Sequence, residues 1–219
     1  SNQWFYLATK KIIQPGQYRS HFRDAEYGLN IWADEMNKFG LGVALPLEIG
    51  SGKTGLIPDS DYYNRKKDYY DSIQKRPRWA YSTIASISIG QGEVLLTPLQ
   101  MANLGCVLAN RGHYYYPHLV KRIGDEPKRE IYRTPNRVMK DSSMFGVVID
   151  AMRAVVEEAG GTARRARIPG ITVCGKTGTA ENFVKIDGVK TQLTDHSIFV
   201  AFAPKDNPKI AIAVFVENG

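Results

Sequence analysis

Apolar residues recur at helical spacing in the first stretch of the chain. Trp4, Phe5, Leu7, Ala8, Ile12 and Ile13 predict a helix over 3–14, ended by Pro15-Gly16. A second helix is predicted over 25–39, with Leu29, Trp32, Met36 and Phe39 in helical period and Gly40 closing it. Residues 40–78 lose the period, are rich in Gly, Pro, Asp, Tyr and Lys, and read as a loop; connections that long usually cover or line something functional. Ala80 to Ile89 is small and weakly polar until Gly90-Gln91-Gly92 breaks the chain. At Thr97-Pro98-Leu99-Gln100 the start signals coincide: a capping threonine, a proline suited to the first helical position, and a glutamine that completes a capping box. That helix is expected to run to about Asn110, before Arg111-Gly112. Residues 113–134 suggest a short hairpin turning near Gly124-Asp125. Asp141 is expected to cap the longest helix, with Met144, Val147, Val148, Ala151 and Val155 as its apolar face and Gly160-Gly161 at its end.

The last fifty residues change character. Ile171 to Thr179, Ser197 to Ala203 and Ile210 to Val216 are β-rich runs, and the last two are apolar at successive positions, as in strands covered on both faces. Pro204-Lys205-Asp206-Asn207-Pro208 is a turn between them. The expectation is an α+β arrangement, an antiparallel sheet packed by helices, in one domain with a helical part over about 1–160 and a sheet part over about 168–219.

The chain has 219 residues, 43% hydrophobic and 23% charged, an ordinary globular balance. No window approaches 18 continuous apolar residues. The net charge of +7 is scattered, with no nucleic-acid signature, so solubility is its first meaning and no nucleic-acid partner is expected. Cys106 and Cys174 have no metal-ligand spacing, and each sits in an apolar stretch. Buried free thiols are expected, and no metal or organic cofactor is implied.

Candidate chemistry concentrates in Gly175-Lys176-Thr177-Gly178-Thr179-Ala180, on a predicted strand just before a polar loop. The Lys-Thr-Gly triplet resembles the third motif of penicillin-binding proteins and class A β-lactamases. An acyl-transfer site of that kind, accepting a peptide, needs a strand edge for the substrate backbone to pair with. Gly178 leaves room for that approach. Lys176 supplies positive charge for a substrate carboxylate. The Thr179 hydroxyl can bind the same carboxylate, and its N–H can serve an oxyanion hole. Thr177 is read as a substrate-side strand neighbour, its side chain facing away. The motif also fits an ordinary solvent-facing strand, because short motifs arise by chance. In penicillin-binding proteins and class A β-lactamases, Lys-Thr-Gly follows Ser-x-x-Lys and a Ser-x-Asn-type motif.

The likeness extends beyond the triplet. Ser88-Ile89-Gly90-Gln91-Gly92, followed by Leu96-Thr97-Pro98-Leu99-Gln100-Met101-Ala102, resembles a segment of class B penicillin-binding proteins. So do Gly161-Thr162-Ala163, Phe199-Val200-Ala201-Phe202-Ala203-Pro204 and Ile210-Ala211-Ile212-Ala213-Val214. Phe39-Gly40-Leu41-Gly42 with Gly55-Leu56-Ile57-Pro58 resembles the elongation type, penicillin-binding protein 2. The resemblance covers most of the chain, least in 60–78 and 113–134. It implies a serine β-lactamase-like transpeptidase domain truncated at both ends, acting on peptidoglycan stem peptides ending in D-Ala-D-Ala and trapped by β-lactams. It further implies a place on the periplasmic face of the bacterial inner membrane, an N-terminal anchoring helix outside this chain, partners in the cell-elongation machinery, and open sheet edges through which a dimer is possible.

Asn2, three residues before Phe5-Tyr6, stands where the family's second motif has its asparagine; it also reads as a helix cap or a cloning remnant. The nucleophile motif is then expected upstream of Asn2, and this chain alone is expected to form no stable penicillin adduct. Ser72-Ile73-Gln74-Lys75 fits Ser-x-x-Lys but comes after the second motif in a charged run, and is rejected. Gly50-Ser51-Gly52-Lys53-Thr54-Gly55 resembles a P-loop but has Leu47 where glycine is required. Asp195-His196 reads as a hydrogen-bonded strand start, and Arg164, Arg165 and Arg167 as a solvated turn. The competing functions are a class D β-lactamase or β-lactam sensor, a nucleotide-binding protein using Lys53, and a non-catalytic interaction domain.

Overall fold

The computed structural model describes residues 2–50, 52–66, 79–139, 141–186 and 189–219. The Ser72–Lys75 pattern lies outside them. The chain forms two compact units, Ser1–Val43 with Gly55–Leu96, and Ala44–Thr54 with Thr97–Gly219.

In the first unit, α1 (Asn2–Ile13) and α2 (His21–Lys38) cross at Gly28. A Cβ there would lie 2.4 Å from the Ile13 carbonyl oxygen, so only glycine allows the approach. Ser20 caps α2, and Phe39-Gly40 ends it with Gly40 at φ +79°. Ile13, Ala25 and Leu29 pack with Tyr63, Trp79, Tyr81, Ile84 and Ile87. Tyr63 belongs to α3 (Ser60–Arg65), inside the stretch expected to be loop. Six residues are too few to show a helical period; the start signal was Asp59, whose carboxylate accepts the Tyr62 N–H at 2.7 Å. Ala80 to Ile89 forms α4 (Tyr81–Ile84) and a 3₁₀ turn, Ala85–Ile89, ended by left-handed Gly90.

The second unit carries the expected α+β core. α5 (Pro98–Ala109) opens with a complete capping box. The predicted hairpin exists only at its ends. β1 (His113–Tyr114) pairs with β2 (Asn136–Arg137), and an isolated bridge joins Ile123 and Glu126 around Gly124-Asp125. Asp141 accepts the Ser143 N–H at 2.8 Å at the head of α6 (Ser143–Glu157). With 15 residues α6 is shorter than the 18-residue α2. Its buried face is Phe145, Ile149, Met152 and Val156, while Met144 and Val147 are exposed. The helix is apolar around most of its circumference, so two stripes satisfied the helical period and periodicity alone could not choose between them.

The main sheet is antiparallel, in the order β3 (Cys174–Ala180), β6 (His196–Ala203), β7 (Ile210–Val216). A two-stranded ribbon, β4 (Phe183–Ile186) and β5 (Val189–Gln192), joins β3 to β6. α5 packs on one sheet face, with Gly105 against Ala211 and Val200. α6 packs on the other, through a cluster of Val156, Ala163, Val173 and Ala201. Among the described residues β7 is not covered on both sides. Ile210, Ile212 and Val214 project from its α6 side and remain exposed.

Candidate active site

β3 is an edge strand. It begins in the core, where Cys174 and Gly175 are buried, and emerges so that Lys176 and Thr179 are exposed. Its inner side pairs with β6 in the register Lys176 to Val200, Thr177 to Phe199, Gly178 to Ile198 and Thr179 to Ser197. The outer side faces no strand among the described residues.

Strand alternation divides the motif. Lys176 and Gly178 belong to the α5 face, Thr177 and Thr179 to the α6 face. Thr177, expected to face away, lies by strand alternation on the same face as Thr179 and opposite Lys176, so the two threonines cannot serve different faces. Lys176 donates from Nζ to the Thr177 carbonyl oxygen at 2.6 Å, so its exposed ammonium folds back along the strand backbone.

The two glycines differ. A Cβ on Gly175 would come within 2.5 Å of the Phe199 ring. One on Gly178 would meet nothing nearer than Ile198 Cβ at 3.5 Å, an ordinary contact. Packing among the described residues requires glycine at 175 but not at 178.

Thr162, outside the Lys-Thr-Gly strand, also reaches the motif. It follows α6, and its Oγ1 lies 2.9 Å from Oγ1 of Thr177. The signal in the sequence was the Gly161-Thr162-Ala163 step, legible as a likeness but not as a contact.

Asn2 is the exposed first residue of α1, in the first unit, whereas Lys176 to Thr179 belong to the second. His196 opens β6, and its Nδ1 accepts the Asn218 N–H at 3.2 Å; Asp195 accepts from the Asn182 N–H at 3.4 Å. Both are engaged structurally. Arg167 pairs with Glu157 at 2.9 Å. Gly55-Leu56-Ile57-Pro58 opens no helix: Leu56 bridges to Leu95, and α3 starts only at Ser60. Among the described residues no three His, Cys, Asp or Glu side chains gather as a metal site, and no helix is long and apolar enough to cross a membrane.

Known proteins share this arrangement. The family described as penicillin binding protein transpeptidase domain matches residues 1–219, and the chain belongs to it. Among curated relatives, the peptidoglycan D,D-transpeptidase MrdA of Haemophilus influenzae is 32% identical over 212 residues, covering 91% of this chain and 31% of that protein. The chain thus spans about a third of the length of such relatives. Among solved structures, PBP2 of Pseudomonas aeruginosa in complex with WCK 5153 superposes with a TM-score of 0.69 at 28% identity, covering 100% of this chain and 41% of that one. PBP3 of Mycobacterium tuberculosis complexed with ampicillin gives 0.65 at 25% identity, covering 95% and 44%.

Proposed function

We propose that this chain is the motif-bearing part of a peptidoglycan D,D-transpeptidase that works through a serine acyl-enzyme. The observation that carries the reading is the Lys-Thr-Gly-Thr run on an edge strand, with both threonine side chains on one face and a glycine that packing does not demand. An extended stem peptide pairs along the outer side of β3. The Thr177 and Thr179 hydroxyls donate to its terminal carboxylate and Lys176 supplies charge. The Thr179 N–H contributes to the oxyanion hole.

The nucleophile is a serine that the family pattern puts ahead of Asn2, and Asn2 is the candidate for the second motif's asparagine. The serine oxygen bonds to the carbonyl carbon of the penultimate D-Ala, and the bond to the last D-Ala breaks. The hydroxyl proton leaves with the departing amine. An amine of a neighbouring stem peptide then attacks the ester, forms the cross-linking amide and returns a proton to the serine. β-Lactams stop at the first ester. In the intact protein the domain faces the periplasm from a membrane anchor and works with the cell-elongation machinery.

Labelling with a fluorescent penicillin tests this. The intact protein is expected to take the label and Lys176→Ala to lose it. An intact wild type that stays unlabelled, or labelling indifferent to Lys176, overturns the reading.

A further inference from the structure

We infer that Thr162 is a positioning residue that orients the Thr177 hydroxyl toward the substrate carboxylate. This rests on the transpeptidase reading and adds to it a residue outside the Lys-Thr-Gly strand.

The turn after α6 holds Thr162 from both sides. Gly161 tolerates no side chain, because a Cβ there would lie 2.2 Å from the Val155 carbonyl oxygen. Its N–H donates to the Glu158 oxygen at 3.1 Å, and the Ala163 N–H donates to that of Val155 at 3.0 Å. Ala163 is itself buried in the cluster with Val156, Val173 and Ala201. Glycine is thus required for the close approach and alanine for the packing. Neither reason applies to Thr162, which is exposed.

What Thr162 does touch is the Thr177 hydroxyl, at 2.9 Å. An exposed hydroxyl pair is not required for folding, because water satisfies either partner as well. The pair does make sense once an anion is present. A hydroxyl has one hydrogen and two lone pairs, whereas a carboxylate only accepts. With the carboxylate in place, the Thr177 hydrogen points to it, and Thr162 must donate to Thr177. The resulting chain, Thr162 to Thr177 to carboxylate, fixes the Thr177 rotor, and each bond polarises the next.

The test measures the second-order rate of acylation by benzylpenicillin in the intact protein, for wild type, Thr162→Ser, Thr162→Val, Thr177→Val and the double valine variant. Valine keeps the branched shape and removes the hydroxyl. We expect Thr162→Val to acylate about tenfold more slowly, as for loss of one hydrogen bond feeding a charged acceptor. Thr162→Ser is expected to stay near wild type. In the Thr177→Val background, where Lys176 and Thr179 still hold the carboxylate and leave a measurable rate, Thr162→Val is expected to have no further effect. An unchanged rate in Thr162→Val, an equal loss in Thr162→Ser, or a persistent effect in the double variant overturns the inference while leaving the transpeptidase reading intact. A wild type that does not acylate overturns both.

Discussion

The ring of Phe199 occupies the space into which a side chain at Gly175 would have to grow. Phe199 pairs with Thr177, one step along the same face of β3, and its Cζ would be 2.5 Å from a Cβ at Gly175. Gly175→Ala therefore overpacks the junction between the buried and exposed halves of the motif strand, at about 1–3 kcal/mol. The expected outcome is a lower urea midpoint with an unchanged slope, partly recovered when Phe199 is shortened to leucine. A Gly175→Ala variant as stable as wild type would show that the ring swings away freely.

Gly178→Ala should behave in the opposite way. Its nearest contact is ordinary and its φ is not in the left-handed region, so alanine fits, and strand alanine is favoured over glycine by roughly 0.5–1 kcal/mol. The added methyl projects from the α5 face beside Lys176, not along the strand edge, and crowds any substrate group lying over that face. Stability is expected to hold or rise while acylation by benzylpenicillin in the intact protein falls roughly 10- to 100-fold, the range that small misplacements of a reacting group produce. Undiminished acylation would mean that no part of the substrate comes close to that face of the strand here.

How far the sequence alone reaches is clear from particular residues. Thr97 to Gln100 was fully readable, because a capping box is local chemistry. β7 was readable to the residue, because the Pro208 turn and a break at Glu217 bound an unbroken apolar run. The buried stripe of α6 was not, since Met144 and Phe145 offer competing faces and only the neighbouring sheet selects one. α3 was not, because it is shorter than two turns. The motif strand was found by its triplet and its β-rich setting. Its partition into a lysine face and a threonine face follows from strand alternation, a check open to sequence reasoning. The contact of Thr162 with Thr177 spans fifteen positions and two elements, and exists only once α6 has packed on β3.

Acid should loosen both units through identifiable carboxylates. Asp24 is buried in the first turn of α2 and accepts the N–H groups of Gly16 at 2.9 Å and Tyr18 at 3.0 Å. Burial pushes its carboxyl up, but the N–H groups of Gly16, Tyr18 and Gln17 outweigh that and bring it below the ordinary 3.8. Glu48 is also lowered, chiefly by the Leu119 N–H. A depressed carboxylate binds a proton more readily in the unfolded chain than in the folded one. Its stabilisation is thus complete above the ordinary carboxylate range and disappears as pH falls through the depressed folded value. Thermal melting from pH 7 downward is expected to show a falling Tm in that acid range. Asp24→Asn should start lower at pH 7 and fall less steeply; a variant with the wild-type profile would remove Asp24 from the account.

Cys174 should be chemically silent in the folded protein. It is fully buried, and burial pushes its thiol up to about 11, against the opposing pull of Lys205 and Arg153. The thiolate is the reactive species, and almost none forms at pH 8. Iodoacetamide in a Cys106→Ala background is expected to label Cys174 only in step with global unfolding by urea. Labelling under native conditions at a rate independent of urea would indicate local opening of the β3 start.

Gln100 carries more than its half of a helix cap. Its Oε1 accepts the Thr97 N–H at 3.0 Å, its own N–H donates to Thr97 Oγ1 at 3.2 Å, and its buried Nε2 donates to the Thr54 carbonyl oxygen at 2.8 Å. The last bond ties the 44–54 segment to α5 within the second unit. Thr97→Ala removes the capping hydroxyl, with one methyl, and should cost about 1 kcal/mol. Gln100→Glu is nearly isosteric and keeps an acceptor for Thr97, but turns an oxygen toward the Thr54 carbonyl where an N–H stood. That loss inside a buried site should cost more, about 1–3 kcal/mol, and should ease as the new carboxyl is protonated and recovers a donor. The two variants are therefore expected to rank Gln100→Glu below Thr97→Ala at neutral pH and to converge in mild acid, read by urea midpoints at each pH. If Thr97→Ala were the more damaging at neutral pH, the helix cap and not the tie to Thr54 would be what Gln100 contributes.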